Sequence, residues 1–392
     1  MKINVKNLIT YIFIMIVSVL FMLFLDGPGG TYLIVATSAA LLLSAGIFLW
    51  TRAMLTCSVK LSEDVLNKGD VLSVELILRK HGFFPTSIIR FAFSDCPFLY
   101  TETSEINSVV IFGHDEEIIE KSFKATFFGN GRTGVEKIVV SDYLGIFYYE
   151  ITDRSLMQSV RIYPDIPDVS GKDSFARSLT DAVAFDDSEE TTKSVDSICG
   201  TPGYEHRQYT PGDNLKLINW KLSAKRGELL VRKLEGTGNA EQVFALSFDN
   251  FYFAESQLAA EAMLGLIMNF AKAELPVRVI VFIDDRWQEK TVNNLGDLQQ
   301  LRYDMTAYNI FPLKAGLTAT ERDALRKRKI PEVPADERAV IFAPFYDEEL
   351  SAVMNRISSE GTDCQLAVCG GETGDGRVRR IIFESGNVRF SE

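Results

Sequence analysis

The residues of this chain best suited to chemistry fall between positions 203 and 235, in GYEHRQYTPGDNLKLINWKLSAKRGELLVRKLE. Arg207, Lys216, Lys221, Lys225, Arg226, Arg232 and Lys233 all lie there, in a chain of net charge −12. A catalytic loop, a docking surface and an ion-pair clasp each fit such a set. Ser223 stands two residues before Lys225, with His206 upstream, the residue types of an activated hydroxyl nucleophile. No Gly-x-Ser-x-Gly elbow surrounds the serine, however, and Ser-Ala-Lys reads better as a helix end. The chain has no Gly-x-x-x-x-Gly-Lys-Ser/Thr phosphate loop and no His-Glu-x-x-His zinc motif. Its imidazoles are limited to His81, His114 and His206, which leaves few partners for a Ser or Cys nucleophile.

Carboxylates form the second set. Asp249 closes the apolar run QVFALSFD, and Asp284 and Asp285 close VRVIVFIDD. Carboxylates at strand ends can hold a divalent cation through oxygen. The competing reading is an ordinary pair of polar strand ends, and neither a metal nor a cofactor is expected. The acidic balance argues against non-specific nucleic-acid binding, which needs a basic surface.

The cation segment has its own local logic. In YTPGD, Pro211 fixes φ, Gly212 accepts positive φ and Asp213 can cap a helical turn after it. NLKLINW then reads as that helical turn, and ELLVRKL alternates as a strand. The unit is expected to run strand, turn, short helix, strand. Arg207 and Arg232 would pair with Asp213 or other carboxylates, with Trp220 filling the space between elements. Lys221, Lys225 and Arg226 would face solvent and dock an acidic partner or a membrane surface.

Other elements must position this segment. Residues 8–25 and 32–50 are two charge-free apolar runs joined by DGPGGT, each near the roughly 20 residues that cross a bilayer. They predict a transmembrane hairpin over 1–52. Lys2 and Lys6 precede it and Arg52 and Lys60 follow it, which places both ends and all later residues in the cytoplasm. Tyr32 and Trp50 sit where interfacial aromatics anchor. Cys57, Cys96, Cys199, Cys364 and Cys369 are scattered without CxxC spacing, as expected of reduced cytosolic thiols.

From residue 55 to 165 the period is two, as in VLSVELILR and SIIRFAF, and predicts a small antiparallel β-sandwich. SDYLGIF near its end reads as a tight strand-to-strand turn built on Asp142 and Gly145. Residues 166–202 are polar, acidic and rich in small residues, and predict a flexible linker. Over 203–392 strands and helices alternate, which predicts an α/β domain with a parallel sheet and helices on both faces.

The motif Arg207-x-Tyr209-x-Pro211-Gly212-Asp213, then Ile218-x-Trp220, then Ser223-Ala224, then Leu229-x-Val231-Arg232 resembles the signature of the domain of unknown function 58 family. Lys216, Asn219 and Lys225 replace the Arg, Asp and Arg usual there. The resemblance spans nearly the whole chain, because members of that family carry a membrane hairpin, a β-rich domain ending in a motif like SDYLGIF, and a C-terminal domain like von Willebrand factor type A. It implies a MoxR-type AAA+ ATPase as partner. A metal-binding type A domain carries Asp-x-Ser-x-Ser, where this chain reads Asp249-Asn250-Phe251-Tyr252-Phe253, so the usual Mg²⁺ site is expected to be absent. The expected role is a membrane-tethered cytosolic scaffold or adaptor in cell-envelope or complex assembly. The alternative is an enzyme of unrecognised type, with Arg207, Tyr209, Asp213 and Ser223 lining a polar cleft.

Overall fold

The structure is a computed structural model. It describes the chain apart from residues 25–28, 95, 102–105, 114, 170–172, 187–200, 209–217, 236–241, 308–310, 314–315, 335–337, 360–361, 372–375, 385 and 392. Met1–Ile162 and Tyr163–Glu392 form two compact units.

The first unit opens with helices α1 (Val5–Phe24) and α2 (Gly29–Met54), both long and apolar enough to cross a membrane. Most of their side chains are exposed. Small residues let them approach. A Cβ on Gly30 would sit 2.2 Å from the Met22 Cα. The Tyr11 hydroxyl donates to the Thr37 carbonyl at 3.0 Å. The Ser18 hydroxyl donates to the Ile14 carbonyl at 2.8 Å, which satisfies it within its own helix.

Helix α2 runs directly into strand Leu55–Leu61, the edge of a four-stranded antiparallel sheet with Val71–Lys80, Glu116–Ala125 and Leu99–Tyr100. In a second sheet Gly129–Ser141 pairs with Ile88–Phe93, Phe147–Ile151 and Met157–Tyr163. The period-two pattern does its work here. Leu72, Val74, Leu76 and Leu78 are fully buried, and Phe93 of one sheet meets Phe123 of the other, ring centres 6.2 Å apart. An element not foreseen from sequence is Lys2–Ile3, which adds a short strand beside Phe147–Ile151.

SDYLGIF is the turn between Gly129–Ser141 and Phe147–Ile151, as expected, and it is also where the helices attach. The buried Asp142 carboxylate accepts from the Phe147 N–H at 2.8 Å, the Leu144 N–H at 3.2 Å and the Ser44 hydroxyl of α2 at 2.8 Å. Gly145 has φ +67°, and its carbonyl accepts from Asn7 Nδ2 of α1 at 2.9 Å. A Cβ there would fall 2.5 Å from that nitrogen, so both the turn and the helix contact call for glycine. Phe48 of α2 is buried against Phe147 and Tyr149.

The second unit is built on an eight-stranded sheet in the order Asp168–Val169, Asn387–Ser391, Val378–Glu384, Asp363–Gly370, Arg338–Phe345, Gln242–Leu246, Val277–Ile283, Arg286–Val292. The five strands from Val378–Glu384 to Val277–Ile283 run parallel. Strand residues alternate between its two faces. On one face Phe244 meets Phe270 of a long helix, Phe253–Lys272, and also meets Phe342 of the neighbouring strand. Val243, Ala245, Ile341 and Leu366 meet Leu350, Met354 and Ile357 of Glu348–Ser359 on the other.

Two expectations need correction. The sheet is mixed, not wholly parallel: Arg286–Val292 and Asn387–Ser391 pair antiparallel with their neighbours. The first was missed because its turn is Asp284-Asp285, two non-glycine residues at φ +51° and +58°, the positive-φ pair of a two-residue hairpin. Residues 166–202 are not flexible throughout. Asp168–Val169 joins the sheet edge, and a helix follows at Ser174–Asp186. Asp173 Oδ1 accepts from the N–H groups of Phe175 and Ala176, its Oδ2 from that of Phe390, and the Phe175 ring meets that of Phe390 at a tilt, centres 5.1 Å apart. A few buried side chains (Phe175, Ala176, Leu179) anchor a segment whose average composition is polar.

Candidate functional site

In the cation segment the helix lies later than expected: it runs Trp220–Arg226 with Asn219 as N-cap, beginning where the turn expected over Asn214–Trp220 was to end, and residues 213–217 lie outside the described residues. Thr201–Gln208 and Leu230–Glu235 form a separate two-stranded antiparallel ribbon, with Arg207 opposite Val231 and His206 opposite Arg232. Tyr209, Pro211, Gly212 and Asp213 lie outside the described residues, as do the side chains of Arg207 and Arg232. The expected ion pairs of those arginines with Asp213 therefore fall there too.

The helix Trp220–Arg226 is described in full. Its N-cap is Asn219, whose Oδ1 accepts from the Leu222 N–H at 3.2 Å. It ends at Gly227, φ +75°, whose N–H donates to the Ser223 carbonyl. Ser223 is buried, and its hydroxyl oxygen accepts from the Leu230 N–H at 2.9 Å. That bond ties the helix to the ribbon. Ile218 and Leu230 are buried beneath it.

The outer surface of the helix is different. Trp220 is 63% exposed, so it does not fill the space between elements as expected from sequence. Lys221, Ala224, Lys225 and Arg226 are exposed beside it. Lys221 and Lys225 share a helix face by their spacing of four. The cations of the helix are therefore exposed, with Trp220 exposed at its first position.

The strand-end carboxylates have other partners. Asp249 is buried, and its Oδ1 accepts from the Phe251 N–H at 2.9 Å. Its Oδ2 accepts from Arg326 Nε at 2.9 Å and from Arg326 Nη2. Arg326 thus supplies the positive charge that a bound cation would supply. Asn250, next in the chain, accepts from the Lys327 N–H at 2.7 Å and donates to the Leu325 carbonyl at 3.1 Å. Together they hold residues 325–328 against the strand end, where Phe248–Asp249 pairs with Arg328–Lys329. Asp284 and Asp285 are exposed turn residues. Among the described residues, Asp, Glu, His and Cys nowhere gather in a group fit to hold a metal ion.

Arg328 extends this network. It grips Asp347 in a two-pronged pair and reaches Glu349 at 2.8 Å. Asp347 Oδ1 also caps the next helix through the Leu350 N–H at 3.0 Å. Burial pushes the Asp347 carboxyl up. The Arg328 hydrogen bond, the Leu350 N–H and the charges of Arg328 and Arg326 outweigh burial and hold it below its usual range. Sequence reasoning missed these residues, although the run RKRK at 326–329 was a legible signal of a second cation cluster. Burial pushes the thiols of Cys57, Cys364 and Cys369 up to about 12, so each stays protonated at neutral pH.

Two expected results test this network. Replacing Arg326 with Met leaves the Asp249 charge buried without its partner and should cost roughly 3 kcal/mol in urea unfolding of the full chain in detergent. Adding Asp249→Asn should recover much of that loss. The Asp347 pair should appear in the pH dependence. A depressed carboxyl stabilises fully above the ordinary aspartate value of about 4, and its contribution is lost as pH falls through the depressed value. Arg328→Met should flatten that acid-side loss; an unchanged urea-midpoint profile between neutral pH and about pH 3 would assign no role to the pair.

Neither a protein-family model nor a curated protein matches the chain. Solved structures match over little more than a quarter of it. The CARDB domain of a Pyrococcus furiosus protein is 14% identical over 28% of this chain and 91% of its own, TM-score 0.20. The Escherichia coli α2-macroglobulin segment from domain MG7 to the C-terminus is 12% identical over 29% of this chain and 17% of its own, TM-score 0.24. A cohesin module of a Clostridium perfringens glycoside hydrolase is 10% identical over 27% of this chain and 96% of its own, TM-score 0.19. Similarity at this level concerns β-sandwich-like architecture alone.

Proposed function

We propose that the chain is a membrane-tethered adaptor of the domain of unknown function 58 type, with its soluble units on the cytoplasmic side. The hairpin anchors it, and the second unit, an α/β domain in the manner of von Willebrand factor type A, binds a protein partner. The observation that carries this reading is the exposed Trp220 set among Lys221, Lys225 and Arg226. Trp and Arg are enriched at binding hot spots, and exposed cations complement an acidic surface. The signature resemblance suggests a MoxR-type AAA+ ATPase as that partner, in cell-envelope or complex assembly.

The test is affinity capture of the tagged full-length chain from its native membrane, beside a Lys221→Glu/Lys225→Glu/Arg226→Glu variant whose fold is checked by circular dichroism. An AAA+ ATPase recovered by the first and lost by the second supports the reading. Equal recovery moves the contact to another face, and recovery of no protein by either removes the adaptor role.

A further inference from the structure

Strand register assigns the loops of the β-domain to two ends. Leu55, directly after α2, pairs with Lys80, and Arg79 pairs with Glu116. Ile88 and Tyr148 both pair with Ser141. Residues 81–87, 110–113 and 141–147 therefore gather at the end from which the helices emerge. Val71, paired with Lys124, marks the opposite end.

The helix-side end carries large exposed aromatics. Phe83 is 92% exposed, Phe112 72% and Phe84 54%. Tyr143 is partly exposed beside them in the same set of loops. Phe84 meets Trp50 of α2 edge-on at 5.6 Å, and Phe83 meets Phe84 at 6.2 Å. The display is held in shape. Lys80 Nζ donates to the carbonyls of Gly82 and Phe84 at 3.4 and 3.3 Å. The Ser87 N–H donates to Thr51 Oγ1 of α2 at 2.8 Å. The Thr86 N–H donates to the Ile111 carbonyl at 3.1 Å, which joins the two loops. Gly82, at φ +123°, lies so close to Trp50 that a Cβ would fall 2.6 Å from its ring.

The height of this end follows from the helices. Helix α1 has 20 residues, about 30 Å of helix and one hydrocarbon thickness. Its first turn already touches the domain, through Asn7 and Gly145. No spacer then separates the bilayer from the domain base. Lys6 is exposed beside Asn7 on α1, and Arg52 is exposed beside Thr51, which bonds the 81–87 loop.

We infer that Phe83, Phe84 and Phe112 insert into the headgroup layer of the membrane that the hairpin crosses, so that the β-domain sits on the lipid surface. This rests on the hairpin being a membrane tether. Aromatic side chains favour that layer, and the nearby cations favour its anionic lipids. The loops continue an apolar surface that begins on α2, which is why lipid is the occupant the geometry selects.

The experiment uses the full chain in bilayers of phosphatidylcholine and phosphatidylglycerol brominated near the headgroup. Trp50, Trp220 and Trp287 are changed to Phe, and one reporter is added by Phe83→Trp, Phe112→Trp or, as the far-end control, Val71→Trp. Carbonate extraction reports separately on the hairpin. Retention in the membrane with loss of emission from the reporters at 83 and 112, but not at 71, supports the inference. Retention with all three equally bright overturns it and leaves the tether intact. Release by carbonate overturns both. Photolabelling of the unaltered chain by a headgroup carbene lipid needs no folded variant. Adducts in residues 81–86 and 110–113 but not 62–70 support insertion, and adducts in none of them overturn it.

Discussion

Replacing Trp220 with Ala should weaken capture of the partner by roughly 30-fold, about 2 kcal/mol, with the fold unchanged. The residue is 63% exposed, so truncation removes little internal packing. Its helix keeps the Asn219 cap, the Gly227 stop and the Ser223–Leu230 bond. Reversing Lys221, Lys225 and Arg226 to Glu should act through a different term. Exposed charges steer encounter, so association should slow by about 10–100-fold at low salt, and the difference should shrink as salt screens the charges. Binding kinetics on the captured partner separate the two: the Trp220 variant should dissociate faster, and the charge variant should associate more slowly. If both variants bind as the unaltered chain does, the helix face is not the contact. Ser223→Ala should behave unlike either. It strands the Leu230 N–H in a buried place, so it should loosen the ribbon, with an effect visible in unfolding before it is visible in binding.

Asp142→Ala should destabilise the first unit by about 3–5 kcal/mol. Two backbone N–H groups and the Ser44 hydroxyl lose their acceptor together, in a place without solvent access. Asp142→Asn keeps one side-chain oxygen and should cost less. Ser44→Ala removes a single donor from α2 and should cost about 1 kcal/mol. Detergent-solubilised chain followed by urea unfolding and limited proteolysis would check the order Asp142→Ala, Asp142→Asn, Ser44→Ala. The proteolysis has a specific expectation: cleavage near residues 141–147 should precede cleavage within the strands. Equal stability of all three variants and the unaltered chain would mean that the turn does not hold the hairpin.

The helices and the strands were legible in the sequence for separate reasons. Residues 8–25 and 32–50 have no charge, and no other element tolerates that composition as well. VLSVELILR alternates, and its apolar members are the buried ones in strand Val71–Lys80. The α/β alternation after residue 242 was readable because buried central strands are short apolar runs and the long helix is rich in Ala, Leu and Met. Arg286–Val292 was not readable. An edge strand carries exposed polar residues, and its hairpin turn uses Asp where Gly or Asn is the usual signal. Ser174–Asp186 was hidden by the acidic, small-residue stretch around it.

The sequence by itself determined part of the local grammar, although it set the helix of the cation segment several residues too early. The strand from Leu230 and the Asp142-Gly145 turn follow from residues within a few positions of each other, whose conformational preferences are intrinsic. Only the tertiary structure decided what each side chain meets. Trp220 could have been core or surface, because a short helix has no periodicity long enough to mark its buried side. Asp249 could have held a cation or an arginine, and its partner Arg326 lies 77 residues further along the chain. Asp142 was readable as a turn residue, but its Ser44 donor lies 98 residues away. Local spacing encodes backbone conformation. Partners brought together by folding are set by the packing of whole elements, and no short stretch of sequence carries that information.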